Sequence, residues 1–229
     1  MKHETPSHVS RRHLEASFAG SAASSAQFPS DRLPEVAFLG RSNVGKSSLL
    51  NALAGTRGLA RVSQTPGLTR LVNFFRVSGP ERGGGGKQGE LYLVDLPGYG
   101  YAKAPRDVRE GFEALAVSYL VGRAPLRLCI FIVDARHEPG ERDERLRAFL
   151  DHHELPWALA VNKIDAVSRA EARTRLAALE AGLGRSASAV LPVSAERGTG
   201  IGELWSVIRE AAAAPAGCEP EALATRGHD

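Results

Sequence analysis

The apolar positions of this 229-residue chain fall in short runs separated by longer stretches of helical spacing. Strand-like runs lie at Val36 to Leu39, Leu71 to Val77, Leu91 to Val94, Leu126 to Val133, Trp157 to Val161 and Ala189 to Val193. Helical segments are predicted from Lys46 to about Ala54, around Val108 to Val121, and over Glu141 to His153, Arg169 to Leu183 and Gly200 to Ala214. Strands alternating with helices imply a mostly parallel α/β sheet of six strands covered on both faces, with one hairpin-connected antiparallel strand near Leu71 to Val77. The run at Leu126 to Val133 is long enough to be buried on both faces. Ligands in such sheets bind at the carboxyl ends of the strands.

The remaining stretches mark boundaries. Residues 1 to 14 are polar and without period and are read as a disordered arm. Leu14 to Pro34, rich in Ala and Ser, adds either a short strand or a packed arm, with Phe18 and Phe28 as anchors. Gly55 to Thr69 reads as a mobile loop. The segment Ser78 to Glu90 carries a glycine tetrad, Gly83 to Gly86; no Lys-Ser pair and no helix follow it, so it reads as a flexible hairpin tip. Pro215 ends the last helix. The organisation expected is one domain over residues 15–213 and a flexible tail over 214–229.

Composition adds three limits. The 43% apolar content is that of a globular protein, no apolar run reaches the length of a membrane span, and the start lacks a signal-peptide apolar region, so a cytoplasmic location is expected. Two cysteines exclude a disulfide framework, and Cys129, inside a strand, should behave as a small hydrophobe. Net charge is +3, distributed as 0 over residues 1–40, +7 over 41–127 and −4 over 128–229. The middle segment holds Arg57, Arg61, Arg70, Arg76, Arg82, Lys87, Lys103, Arg106 and Arg109, more cations than one nucleotide's phosphates require. A polyanionic partner such as RNA follows, the alternative being a solvated Arg-rich surface.

The candidate chemistry begins at Gly40-Arg-Ser-Asn-Val-Gly-Lys-Ser47, between a strand and a helix. The pattern G-x-x-x-x-G-K-S is a phosphate cradle, in which backbone N–H groups converge on one anion, Lys46 reaches the β/γ-phosphates and the Ser47 hydroxyl ligates Mg²⁺. Asp95-Leu-Pro-Gly98 follows a strand, so Asp95 can hold Mg²⁺ through water and the Gly98 N–H can sense the γ-phosphate. Asn162-Lys-Ile-Asp165 follows another. The Asp165 carboxylate can accept from guanine N1–H and the N2 amino group together, which excludes adenine, and a backbone N–H of Val193-Ser-Ala195 can reach guanine O6. An N-cap pair would explain Asn162 and Asp165 as polar residues but not their order after two other motifs. In the loop before β-type residues 71–77, Thr69 is preferred over Thr65 as the second Mg²⁺ ligand, because Thr65 precedes a proline. Together these make a P-loop nucleotide-binding domain of small-GTPase type. Tyr99 stands where rapid GTPases often carry a water-orienting Gln, so hydrolysis by Lys46, Thr69 and Gly98 should be slow without a partner or a cation. Asn43 either ligates potassium near the phosphates or merely suits a turn.

Residues 34–51, Thr65-Pro-Gly-Leu-Thr69 with Asn73-Phe-Phe75, and Val94-Asp-Leu-Pro-Gly-Tyr-Gly-Tyr-Ala-Lys103 resemble the EngB branch of bacterial Era-like GTPases, over about residues 15 to 213. The resemblance implies Mg²⁺ on Ser47 and Thr69. It implies nucleotide contacts from Gly40, Arg41, Ser42, Asn43, Val44, Gly45, Lys46 and Ser47; from Gly67, Leu68, Thr69, Arg70 and Leu71; from Asp95, Leu96, Pro97 and Gly98; from Asn162, Lys163, Ile164 and Asp165; and from Val193, Ser194 and Ala195. It further implies a GTP/GDP-binding protein acting in large ribosomal subunit maturation and in cell division and septation; a monomer is expected, independently of the resemblance. The oligoglycine hairpin and the tail after Pro215 depart from the family pattern. The other class left open is a regulatory binding protein of the division machinery whose nucleotide only sets its conformation.

Overall fold

The computed structural model describes residues 15–60, 71–78, 89–98 and 114–214. At its centre is β2 (Glu35–Gly40), every residue of which is buried. It lies between β4 (Leu91–Asp95) and β5 (Leu126–Asp134), parallel to both. Because successive side chains point to opposite faces, β2 sends Val36 and Phe38 to one side and Ala37 and Leu39 to the other. β5 does the same with Leu128, Ile130 and Ile132 against Cys129, Phe131 and Val133. On the first face pack α1 (Lys46–Ala54), through Leu49, Leu50 and Leu53, and α5 (Ile201–Ala213), through Leu204, Trp205 and Ile208. On the second face pack α2 (residues 114–120), α3 (Glu141–His152) and α4 (Arg169–Ala181), through Tyr119, Leu150 and Leu179.

The sheet order is β1-β3-β4-β2-β5-β6-β7, with β6 at Trp157–Asn162 and β7 at Val190–Pro192. Among the described residues, seven strands replace the six expected. The additional strand, β1 (Glu15–Ala22), pairs antiparallel with β3 (Val72–Ser78), from Glu15 opposite Ser78 to Ala22 opposite Val72. Its Ala, Ser and Gly side chains are mostly exposed at the sheet edge, so no alternation of apolar and polar positions signals it. Backbone pairing holds it, with Phe18 against Phe75 at a ring-centroid distance of 5.8 Å. Since β3 is antiparallel to both β1 and β4, it alone runs against the rest, as the sequence predicts. β7 stops at Pro192, one residue before the end of the apolar run, although the Val193 N–H still bonds the Val161 carbonyl at 2.9 Å.

The loop from Gly55 is held at its start rather than mobile. Asn51 donates its side-chain amide to the Ala60 carbonyl at 2.9 Å and accepts from the Ala60 N–H at 2.7 Å. The remainder of that loop, the glycine tetrad, Cys218, the N-terminal arm and the tail beyond Ala214 lie outside the described residues.

Opposite the carboxyl edge, Glu35 is 1% exposed and accepts from the Tyr119 hydroxyl at 2.7 Å and from Arg123 Nε and Nη2 at 2.9 and 2.5 Å. Arg123 also donates to the Pro29 carbonyl at 2.7 Å and lies over the Phe28 ring. The hydrogen bond and charge of Glu35 hold the guanidinium protonated, and burial, then Glu35, keep the Tyr119 phenol neutral. Cys129 is buried as predicted, and burial pushes its thiol up to about 12. No helix among the described residues is long and apolar enough to cross a membrane.

Candidate functional site

β2 sits where the chain crosses from one half of the sheet to the other, and the loops leaving β2, β4 and β6 meet at its carboxyl edge. The first loop is built to bring backbone close to backbone. A Cβ at Gly40 would lie 2.8 Å from the Ile132 carbonyl oxygen. Asn43 has φ of 68° and Gly45 of 94°, two left-handed residues on either side of the buried Val44. A left-handed Asn is the turn-forming reading of that residue; its side chain is exposed. Gly45 is the N-cap of α1, whose first turn carries no acidic residue, so the helix end is left electropositive for an anion. Ser47 lies half-buried in that first turn.

Lys46 turns across to the second loop. Its ammonium donates to the Asp95 carboxylate and, at 2.7 Å, to the Leu96 carbonyl. Asp95 is buried at the end of β4, and Leu96 is fully buried. Gly98 packs on the first loop: a Cβ there would be in ordinary contact, 3.5 Å, with the Gly40 carbonyl and with N and Oγ of Ser42. The Ser42 hydroxyl is buried without a partner among the described residues. A lysine, an unpaired hydroxyl and a buried carboxylate thus converge beside a helix N-terminus. That donor set suits a phosphate with a hard cation.

The third loop is fastened onto the first. Asn162, 1% exposed, donates its amide to the Val44 carbonyl at 2.9 Å and accepts from the Ala195 N–H at 3.3 Å. Lys163, itself left-handed at φ 62°, donates to the Asn43 carbonyl at 2.7 Å and to Asp134 at 2.9 Å. Ile164, Asp165 and Ala166 form a 3₁₀ turn that leaves Asp165 exposed. This is the face required of a group that reads a base. The N–H groups of Val193, Ser194 and Ala195 all find protein acceptors, at Val161, Thr199 and Asn162, and the Ala195 bond is the longest. Ser194 closes that turn by accepting from the Arg197 N–H at 3.0 Å.

Three residues at the site were missed from sequence. Asp134, 8% exposed, ends β5; Arg136 grips it through Nε at 2.9 Å, Nη2 at 2.7 Å and its backbone N–H at 3.0 Å. Burial alone would raise the Asp134 carboxyl, but the bonds from Arg136 and Lys163 hold it well below the usual carboxylate range. Asp143 accepts from the Gly140 N–H at 2.8 Å at the start of α3 and lies 3.8 Å from Arg41. The signal for Asp134 was present: like Asp95, it is an acid directly after a buried strand. Leu71 is exposed just before β3 and Pro97 is buried just after β4, whereas Gly67, Leu68, Thr69, Arg70, Thr65 and Tyr99 lie outside the described residues.

A sequence profile of 50S ribosome-binding GTPases matches residues 35–163. The probable GTP-binding protein EngB of Solibacter usitatus is 43% identical over 195 residues, covering 85% of this chain and 95% of that protein. A crystal structure of a probable GTP-binding protein EngB superposes with a TM-score of 0.58 at 24% identity, over 78% of this chain and 98% of that one. Era of Aquifex aeolicus bound to GDP and AlF₄⁻ gives a TM-score of 0.65 at 24% identity, over 80% of this chain and 57% of Era, a likeness of fold.

Proposed function

The chain belongs to the EngB family of GTP-binding proteins and is a GTPase, and from that premise we propose that it is a slow, GTP-loaded switch in assembly of the large ribosomal subunit, needed for normal division and septation. The observation that carries the nucleotide half of this reading is the fastening of the base-reading loop onto the phosphate loop, Asn162 to Val44 and Lys163 to Asn43. It makes one cradle from two motifs, so that base and phosphates are read together. Ser47 and Thr69 would hold Mg²⁺, with Asp95 acting through water; the ion, when bound, offsets charge on the β/γ-phosphate oxygens. Lys46 then exchanges the Asp95 carboxylate for phosphate oxygens.

The ribosomal half is supported by the description of the matching family and by the +7 balance of residues 41–127. Among the described residues of that segment Arg57 is exposed, while Arg76 is paired with Glu90. The protein acts in the cytoplasm as a monomer, on pre-ribosomal RNA or its particle. The test is sedimentation with large-subunit particles at low salt: the GTP-loaded protein should co-sediment more than the GDP form. Its salt sensitivity should fall on neutralising Arg57, Arg61 and Arg70. Equal retention of both forms ends the ribosomal reading and favours a division-machinery regulator.

Asn43 bears on turnover. With Tyr99 in place of a water-orienting Gln, a potassium ion at Asn43 would supply part of the missing stabilisation. GTP turnover should then be faster in potassium than in sodium at equal ionic strength, and equal rates leave Asn43 as a turn residue only.

A further inference from the structure

We propose that Asp134 is a positioning residue of the guanine-nucleotide site, acting through Lys163 to hold the phosphate loop in its binding shape. The inference rests on the nucleotide reading above. The phosphate loop bends through two left-handed residues, Asn43 and Gly45, and such a stretch persists only where surrounding contacts over-determine it. Asn162 holds the middle of the stretch by its bond to the Val44 carbonyl. Lys163 is the second holder. Its stem passes over Gly45, with Cε 3.6 Å from where a Cβ would stand, and its ammonium reaches the Asn43 carbonyl at 2.7 Å.

A lysine is a poor strap by itself. Its flexible four-carbon stem carries a strongly hydrated charge, and one neutral carbonyl does not outweigh the water it gives up. The Asp134 carboxylate, 2.9 Å from the same ammonium and largely buried, supplies the charged acceptor that does. Arg136 in turn fixes the carboxylate: a fork of Nε and Nη2 on the side chain and the backbone N–H leave Asp134 one orientation. The chain of contacts thus runs from the turn after β5, through Asp134 and Lys163, to Asn43. Arg136 and Asp134 form one wall of a cleft of about 420 Å³ whose other wall is the phosphate loop itself. The Arg136 side chain is 45% exposed, so it can be removed without opening the core.

The test uses the full chain loaded with a fluorescent GDP and chased with unlabelled GDP. Asp134→Ala and Lys163→Ala should each speed dissociation about ten-fold, the size of one lost charge-assisted hydrogen bond. The double variant should be no faster than Lys163→Ala alone, because Asp134 has no route to the nucleotide once the lysine is gone. Asp134→Asn, which keeps an acceptor, and Arg136→Ala should fall between these and the unmodified protein; they carry the test if Asp134→Ala fails to fold. Multiplying effects in the double variant, or unchanged dissociation in the Asp134 and Arg136 variants while Lys163→Ala is fast, would overturn the relay. Asp165→Asn separates the two levels. If it weakens GDP and GTP alike while the Asp134 variants do nothing, only the relay is wrong; if it too is without effect, the assignment of the base-reading loop falls, and the relay with it.

Discussion

Gly45→Ala is expected to lower GDP affinity by about a hundred-fold or more. Gly45 has φ of 94°, where a side chain costs about 1–2 kcal/mol in backbone strain alone. The added Cβ would also stand 2.4 Å from Asn162 Nδ2, well inside contact distance. Asn162 has nowhere to go, because it is buried with its amide on the Val44 carbonyl and its oxygen facing the Ala195 N–H. Displacing it leaves these groups unpaired at about 1–3 kcal/mol each, and each 1.4 kcal/mol is a factor of ten in binding. The measurement is a GDP titration of the variant beside Gly55→Ala. Gly55 is also left-handed, at φ 64°, but has open space around its Cβ position and caps the far end of α1. Gly55→Ala should cost stability by about 1 kcal/mol, the penalty of a Cβ in a left-handed C-cap, and leave GDP binding unchanged. Equal binding losses in the two variants would mean that backbone strain, not the Asn162 contact, governs the loop.

Glu35→Ala should destabilise the fold by about 3–5 kcal/mol, a large share of the total for a domain of this size. The carboxylate is the shared acceptor for Tyr119, which has no exposed surface, and for Arg123, whose side chain is 16% exposed. Removing it leaves the buried Tyr119 hydroxyl without its acceptor and the half-buried Arg123 guanidinium without its counter-charge, which is the costly way to break such a pair. Thermal unfolding should drop by roughly 10 °C, and by less in Glu35→Gln, which keeps an acceptor for the Tyr119 hydroxyl. GDP affinity at a temperature where the variant is folded should stay unchanged, since Glu35 begins β2 and the phosphate loop leaves its other end. A variant as stable as the parent would show that Arg123 is held by Pro29 and Phe28 instead.

Much of the fold was legible because its signals are local. β2, β5 and β6 are buried on both faces and therefore read as unbroken apolar runs. α1 was bounded by the phosphate motif on one side and a left-handed glycine on the other. β1 was legible only as one of two alternatives, a short strand or a packed arm, because an edge strand held by backbone bonds needs no apolar alternation. The held start of the Gly55 loop was hidden for a similar reason: it depends on Asn51, one helix turn away in the chain but chosen by geometry.

At the site the division is sharper. The sequence alone determined which residue types are available, namely a G-x-x-x-x-G-K-S loop, an acid at the end of one strand and an Asn-Lys-Ile-Asp run after another. Spacing relative to strands and turns is a one-dimensional property. Only the tertiary structure decided which of those groups face ligand and which face each other. Asn162 fastens the phosphate loop and accepts from Ala195, Lys163 fastens the same loop and pairs with Asp134, Lys46 rests on Asp95, and Asp134 joins the site from a strand that carries no motif. Such partnerships link residues as many as 120 positions apart, and a buried donor takes whichever acceptor the packed sheet brings within reach.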